Sequence, residues 1–208
     1  MKACILAAGS GSRMAPYHEA RPKTLLPVLN RPIVSYLADA LAEVRCDTVR
    51  VAADARAADI RAVVPDSWEV RAVTSSGGTA ETLSAIWEGH EDALVLPGDV
   101  VLAPEDLARL AATSPPSQTD SVTLLLAPIA ADETRDWIGV RLNGETVTGI
   151  VGHAREGTTH RIVGMLLPAS FREWLERTPT RFPSVEVGMM PPAERYLEAA
   201  VELWRRAG

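Results

Sequence analysis

The sequence predicts an α/β domain with a mixed central sheet. Three observations carry that expectation. Short apolar runs alternate with helical stretches through the first half of the chain. From residue 121 the alternation gives way to four strand-like runs, two of them joined by an Asn-Gly turn signal. Finally, 208 residues at 47% hydrophobic composition suffice for one core and fall short of two comfortable ones. No internal repeat, low-complexity stretch or linker interrupts the sequence, so residues 1–208 are read as a single domain.

Residues 3–7 are continuously apolar, as in a strand buried on both faces. Asn30 can cap a helix whose second residue is Pro32, an early position that proline favours. Val34, Leu37, Leu41 and Val44 then share one face. Residues 49–53 are strand-like, and Asp54 can cap a helix through residue 63. A short strand is expected at 70–73. Ser75-Ser76-Gly77-Gly78 reads as a loop, with Thr79 capping a helix through Trp87. Residues 93–96 form another buried strand, which ends at Pro97-Gly98-Asp99, and a short helix follows near 104–112. Residues 114–120 are a polar loop with prolines. Beyond it, 122–127, 138–142, 146–151 and 162–167 are strand-like, with Asn143-Gly144 turning between the second and third. Helices close the sequence. In the last, Tyr196, Leu197, Ala200, Val201 and Trp204 form an apolar stripe.

Composition excludes several function classes. The net charge is −6, and no lysine/arginine cluster makes a basic stripe, so a nucleic-acid partner is not expected. No apolar run approaches the ~20 residues needed to span a bilayer, so neither is a membrane. Residues 1–8 are apolar but too short for a signal peptide. Cys4 and Cys46 lack metal-motif spacing and read as reduced, partly buried thiols. These features together point to the cytoplasm. The four histidines lack metal-ligand spacing, and no Ser/His/Asp or Cys/His set stands out.

One stretch carries chemistry. The first strand runs into Leu6-Ala7-Ala8-Gly9-Ser10-Gly11-Ser12-Arg13-Met14. Glycines after a strand let the backbone turn tightly and present its N–H groups to an anion. A dinucleotide fingerprint needs a third glycine where Met14 stands, and an immediate helix that Pro16 and Pro22 oppose. A plain turn remains the alternative. Arg21-Pro22-Lys23-Thr24-Leu25-Leu26-Pro27-Val28 follows, a stiff and mostly apolar rod in which Pro22 and Pro27 hold Arg21 and Leu26 extended. A lysine in such a segment is not needed for solubility. Over a phosphate loop, Lys23 is a point positive charge for a phosphate.

The joint pattern over residues 5–33 resembles the sugar-phosphate nucleotidyltransferases, in their compact single-domain form. That resemblance implies a Rossmann-like domain with a mixed, mostly parallel sheet of about seven strands flanked by helices. It implies that Leu6, Ala8, Gly9 and Gly11 approach a nucleoside triphosphate, that Arg13 grips its outer phosphates and that Lys23 bridges the reacting ones. Gly77-Gly78-Thr79-Ala80 resembles the family's base-binding element, which brings Gly78 and Thr79 to the nucleotide. Asp99, at the end of a buried strand, matches the family's Mg²⁺ ligand, with Mn²⁺ able to substitute. Glu186 stands where the family has its second metal-binding aspartate.

The acceptor side departs from the pattern. Where members often carry a glutamate and a lysine, this chain has Gly152 and Ala154. His153, Arg155 and Gly164 are the remaining candidates for acceptor contact. The implied reaction transfers a nucleoside monophosphate to a sugar 1-phosphate and releases pyrophosphate. Two rivals stay open: a non-sugar acceptor (a phosphate, a phosphonate or a molybdopterin), and a non-catalytic protein that binds nucleotide sugars. The sequence leaves the oligomeric state open.

Overall fold

The computed structural model describes residues 1–9, 11, 14–73, 77–113, 120–130, 137–151, 157–178 and 195–207. In chain order the strands are β1 (Lys2–Ala7), β2 (Pro27–Val28), β3 (Arg31–Pro32), β4 (Thr48–Ala53), β5 (Glu69–Ala72), β6 (Ala93–Pro97), β7 (Thr123–Pro128), β8 (Gly139–Asn143), β9 (Thr146–Val151) and β10 (His160–Leu167). The helices are α1 (Tyr17–Ala20), α2 (Ile33–Ala42), α3 (Ala57–Arg61), α4 (Thr79–Ile86), α5 (Pro104–Ala111), α6 (Ala169–Arg177) and α7 (Leu197–Ala207).

Eight strands form the main sheet, in the order β5-β4-β1-β6-β10-β8-β9, with β7 on the other edge of β10. The β5-β4-β1-β6 half is parallel, and every pair beyond it is antiparallel. The expected mixed α/β sheet is therefore present. Its faces follow from strand alternation. Ala3 and Ile5 of β1 pack with Val34, Leu37, Ile60, Leu107 and Leu110, from α2, α3 and α5. Cys4, between them, joins Leu83, Ile86, Phe171, Leu175, Leu197 and Val201, from α4, α6 and α7. Each face thus has its own core and its own three helices. Burial pushes the Cys4 thiol up to about 12, which leaves it an inert core thiol.

The antiparallel half has one feature that matters for the site. β7 runs along one edge of β10. The other edge is shared: Met165–Leu167 pair with β6, and His160 and Arg161 pair with β8. Ile162, Val163 and Gly164 pair with neither, so the sheet opens there.

Several local expectations are corrected. Asn30 caps no helix. With Leu29 it takes positive φ, 61° and 49°, and turns a small β2–β3 hairpin, so α2 begins at Ile33 after Pro32. Arg21 and Leu26 are extended as expected. The segment between them is no rod, because Lys23–Leu25 closes a 3₁₀ turn. The Asp54 carboxylate accepts from the Arg56 N–H at 2.9 Å, a local turn that delays α3 to Ala57, and the helix stops at Arg61. The β8–β9 loop is Gly144-Glu145, one residue later than the Asn-Gly signal, since Asn143 still pairs with Thr146.

Among the described residues, no helix is long and apolar enough to cross a membrane.

Candidate active site

A cavity of about 420 Å³ opens at the carboxyl ends of β1 and β6. Ligands of open α/β sheets bind at such strand ends. Leu6, Ala8, Gly9, Gly11, Lys23, Gly78, Thr79, Asp99 and Gly164 all line it. Every one of these was expected from the sequence. Arg13, His153, Arg155 and Glu186 lie outside the described residues.

Close backbone packing makes the floor. The Gly98 N–H donates to the Leu6 carbonyl at 2.8 Å. A Cβ on Gly98 would stand 2.7 Å from the Ala7 Cβ, so only glycine lets β6 turn this tightly against β1. The turn delivers Asp99 to the cavity. The Thr24 hydroxyl, buried, donates to the Gly98 carbonyl and ties the Lys23 segment to the same turn. Lys23 then meets Asp99 directly: its ammonium forms an ion pair with the carboxylate, both groups staying partly exposed. A Cβ on Gly11 would lie 3.7 Å from the Lys23 Cβ, which places the lysine stem beside the glycine loop. The sequence suggested separate duties for Lys23 and Asp99; the structure makes them neighbours.

The opposite wall comes from two distant segments laced together by the main chain. The Arg195 N–H donates to the Gly77 carbonyl at 2.8 Å, and the Ala80 N–H donates to the Arg195 carbonyl at 2.9 Å. The Leu197 N–H donates to the Thr79 hydroxyl at 2.8 Å. Thr79 was expected to cap α4. Gly78 holds that position instead, with φ +96° and ψ 178°, and the Thr79 hydroxyl serves the partner segment. This lacing brings Tyr196, Leu197 and Glu198 into the lining, three contributions the sequence reading missed. With Glu198 the described lining holds two carboxylates, Asp99 and Glu198.

The last helix is anchored from behind. Glu202, 1% exposed, accepts the Ile150 N–H of β9 at 3.1 Å and the guanidinium groups of Arg205 and Arg206 at 2.9 and 2.8 Å. Burial works against its charge. The arginines and the backbone N–H prevail and hold the carboxyl below its ordinary range.

The assembled site can receive an anion beside the glycine loop and a cation at Asp99. No group of three metal-ligating side chains occurs among the described residues.

Comparison with known proteins adds the following. Residues 3–131, more than half of the chain, match the MobA-like NTP transferase domain. The CMP-5'-(3-aminopropyl)phosphonate synthase of Streptomyces rubellomurinus is 30% identical over 143 residues, which is 65% of this chain and 23% of that protein. The bifunctional sugar-1-phosphate nucleotidylyltransferase/acetyltransferase of Sulfurisphaera tokodaii is 53% identical over 36 residues, 17% of this chain and 9% of that protein. The matched stretches thus span less than a quarter of these relatives' length. A UDP-glucose pyrophosphorylase solved with UDP-glucose superposes with a TM-score of 0.76 at 16% identity, covering 100% of this chain and 87% of that one. That likeness is one of fold.

Proposed function

The chain belongs to the MobA-like NTP transferase domain family, and from that premise we propose that it transfers a nucleoside monophosphate from a nucleoside triphosphate to a sugar 1-phosphate. The observation that carries the reading is one cavity in which the glycine loop, Lys23 and Asp99 converge.

The step balances without a proton. An oxygen of the acceptor phosphate attacks the α-phosphorus and forms a new P–O bond. The bond from that phosphorus to the bridging oxygen breaks, and its electron pair leaves with pyrophosphate. The attacking oxygen is already anionic near neutral pH, so no general base is needed. What remains is orientation and charge neutralisation. Gly9 and Gly11 let backbone N–H groups face the phosphates, Lys23 places a point charge among them, and Gly78 with Thr79 receives the base.

Asp99 fits a magnesium ion. Its carboxylate faces the cavity and already attracts a cation, the Lys23 ammonium. Such an ion takes one or two carboxylates and completes its shell with phosphate oxygens and water. Asp99 would hold it, with Glu186 as the second carboxylate and Mn²⁺ as a substitute. When bound, it neutralises charge on the phosphates.

A second reading keeps the transfer and changes the acceptor to a phosphonate or another non-sugar phosphate. Gly152 and Ala154, in place of the family's glutamate and lysine, favour it, and so does the similarity to a phosphonate synthase. Pyrophosphate release, measured with each common triphosphate against a panel of sugar 1-phosphates and alkylphosphonates, separates the two. No pyrophosphate release with any acceptor would leave only nucleotide binding standing.

A further inference from the structure

A second cavity, about 500 Å³, adjoins the first, and Asp99 lines both. β10 divides them. Ile162, Gly164 and Met165 line the first, whereas Arg161 and Val163 line the second, across the register shift between Ile162 and Gly164. A space of this size suits a small ligand.

Val100, Leu102, Leu125 and Val163 are among the residues lining the second cavity, although the surface they and their neighbours expose to it is more polar than apolar. Its charged groups are Asp99, Asp106 and Arg161. Two are already matched, Asp99 by Lys23 and Asp106 by Arg109. Arg161 is placed differently. Its guanidinium carbon lies 3.7 Å from the centroid of the Trp137 ring. Among the described residues no carboxylate pairs with it. A guanidinium lying on an aromatic face keeps its N–H edge available, and that edge matches a carboxylate or phosphate through two parallel hydrogen bonds. Among its described residues the cavity therefore presents one charge without a charged partner, a positive one, in a space that shares Asp99 with the first cavity.

We propose that this cavity receives the non-reacting end of the acceptor, and that this end carries a second anionic group, carboxylate or phosphate, held by Arg161. The inference rests on the transfer reading above and narrows it. The acceptor is then a small phosphate or phosphonate with an anion at each end, such as a sugar-acid phosphate or a phosphorylated carboxylic acid.

Matched acceptors test it. Glucuronic acid 1-phosphate and glucose 1,6-bisphosphate each differ from glucose 1-phosphate by one added anion, and 3-phosphoglycerate stands in the same relation to glycerol 3-phosphate. In pyrophosphate-release assays at saturating triphosphate, the doubly anionic member of at least one pair should have the higher kcat/KM. The expected ratio is roughly ten- to a hundredfold, the worth of a charge-assisted contact. The carboxylate and bisphosphate arms tell which anion is meant. Arg161→Met should abolish the preference within each pair, and Arg161→Lys should keep part of it. Equal rates within every pair, or an unaltered preference in Arg161→Met, would overturn the proposal. Calorimetric binding of 3-phosphoglycerate and glucuronic acid 1-phosphate separates this failure from that of the transfer reading. Binding lost in Arg161→Met, with no pyrophosphate released from any triphosphate, would retain the anion site and sink the transfer. Turnover that ignores Arg161 would do the reverse.

Discussion

Replacing Gly78 with alanine tests how the cavity wall is built. Gly78 has φ +96° and ψ 178°, a conformation essentially reserved for glycine, which costs other residues about 1–3 kcal/mol. The added Cβ would lie 2.5 Å from the Arg195 carbonyl oxygen and 2.7 Å from its nitrogen. These are backbone atoms and cannot swing aside like the tip of a side chain. Arg195 must shift, and the bonds it exchanges with Gly77 and Ala80 weaken, at about 0.5–1.5 kcal/mol each. The combined loss is about 2–6 kcal/mol. For a domain of this size each kcal/mol lowers the melting midpoint by about 2–4 °C, so the midpoint should fall by roughly 4 °C at the least. Calorimetry without nucleotide reads the stability, and a triphosphate titration reads the damage to the wall. Gly9→Ala is the control. Nothing stands within 4 Å of its added Cβ, so its midpoint should stay where it is while nucleotide affinity responds to the altered loop. A Gly78→Ala protein that melts within a degree of the parent would refute the reasoning, since the wall would then tolerate a side chain where the structure leaves no room.

Lys23→Ala and Arg13→Ala should each lower turnover roughly 10²–10³-fold with the fold intact, the usual effect of losing one preorganised charge contact; near-normal kcat in both would mean that the phosphate site is elsewhere. Turnover should vanish with a chelator and return with Mg²⁺ or Mn²⁺, and Asp99→Asn should lose most of it, because a neutral amide is a poor ligand for a hard cation. Full activity in Glu186→Gln beside a dead Asp99→Asn would leave a single protein carboxylate on the metal. Glu202→Ala should destabilise the fold by about 2–3 kcal/mol near neutral pH, through an orphaned Ile150 N–H and two lost charged contacts. The Glu202 carboxyl is held below its ordinary range when folded, so its contribution is complete above the unfolded value and disappears as pH falls through the folded one. The stability gap between parent and Glu202→Ala, measured by urea melts, should therefore narrow toward strongly acid pH; a gap constant with pH would contradict the charged role.

The parallel half was largely legible because its strands are buried on both faces and read as plain apolar runs: residues 3–7 and 93–96 differ little from β1 and β6. The phosphate-binding candidates were legible for a related reason. Gly9, Gly11, Lys23 and Asp99 sit in loops where no core or helix requires them. Helix starts were less legible. Asn30 and Asp54 are residues that both cap helices and make turns, and only the tertiary setting decides between these uses. Thr79 was misread in the same way, because the group that claims its hydroxyl comes from a segment 118 residues away. The Tyr196–Glu198 contribution shares that origin. Nothing local to residues 77–80 announces a partner near 195, and a single sequence carries no signal for a main-chain pairing of that range.

That pairing bears on the order in which the protein takes shape. A ribosome delivers the glycine loop, Lys23 and Asp99 early, and residues 2–97 can then assemble the parallel half. The far wall waits until residues 195–197 emerge. Joining ends so far apart is slow more than it is costly, since loop-closure entropy grows only with the logarithm of length while folding rates fall as contacts become less local. A nascent chain halted near residue 131 would hold the matched family segment and lack the cavity lining supplied by β10 and by Tyr196–Glu198. The pocket is therefore complete only once the stretch that carries Tyr196, Leu197 and Glu198 has been made and has paired with residues 77–80.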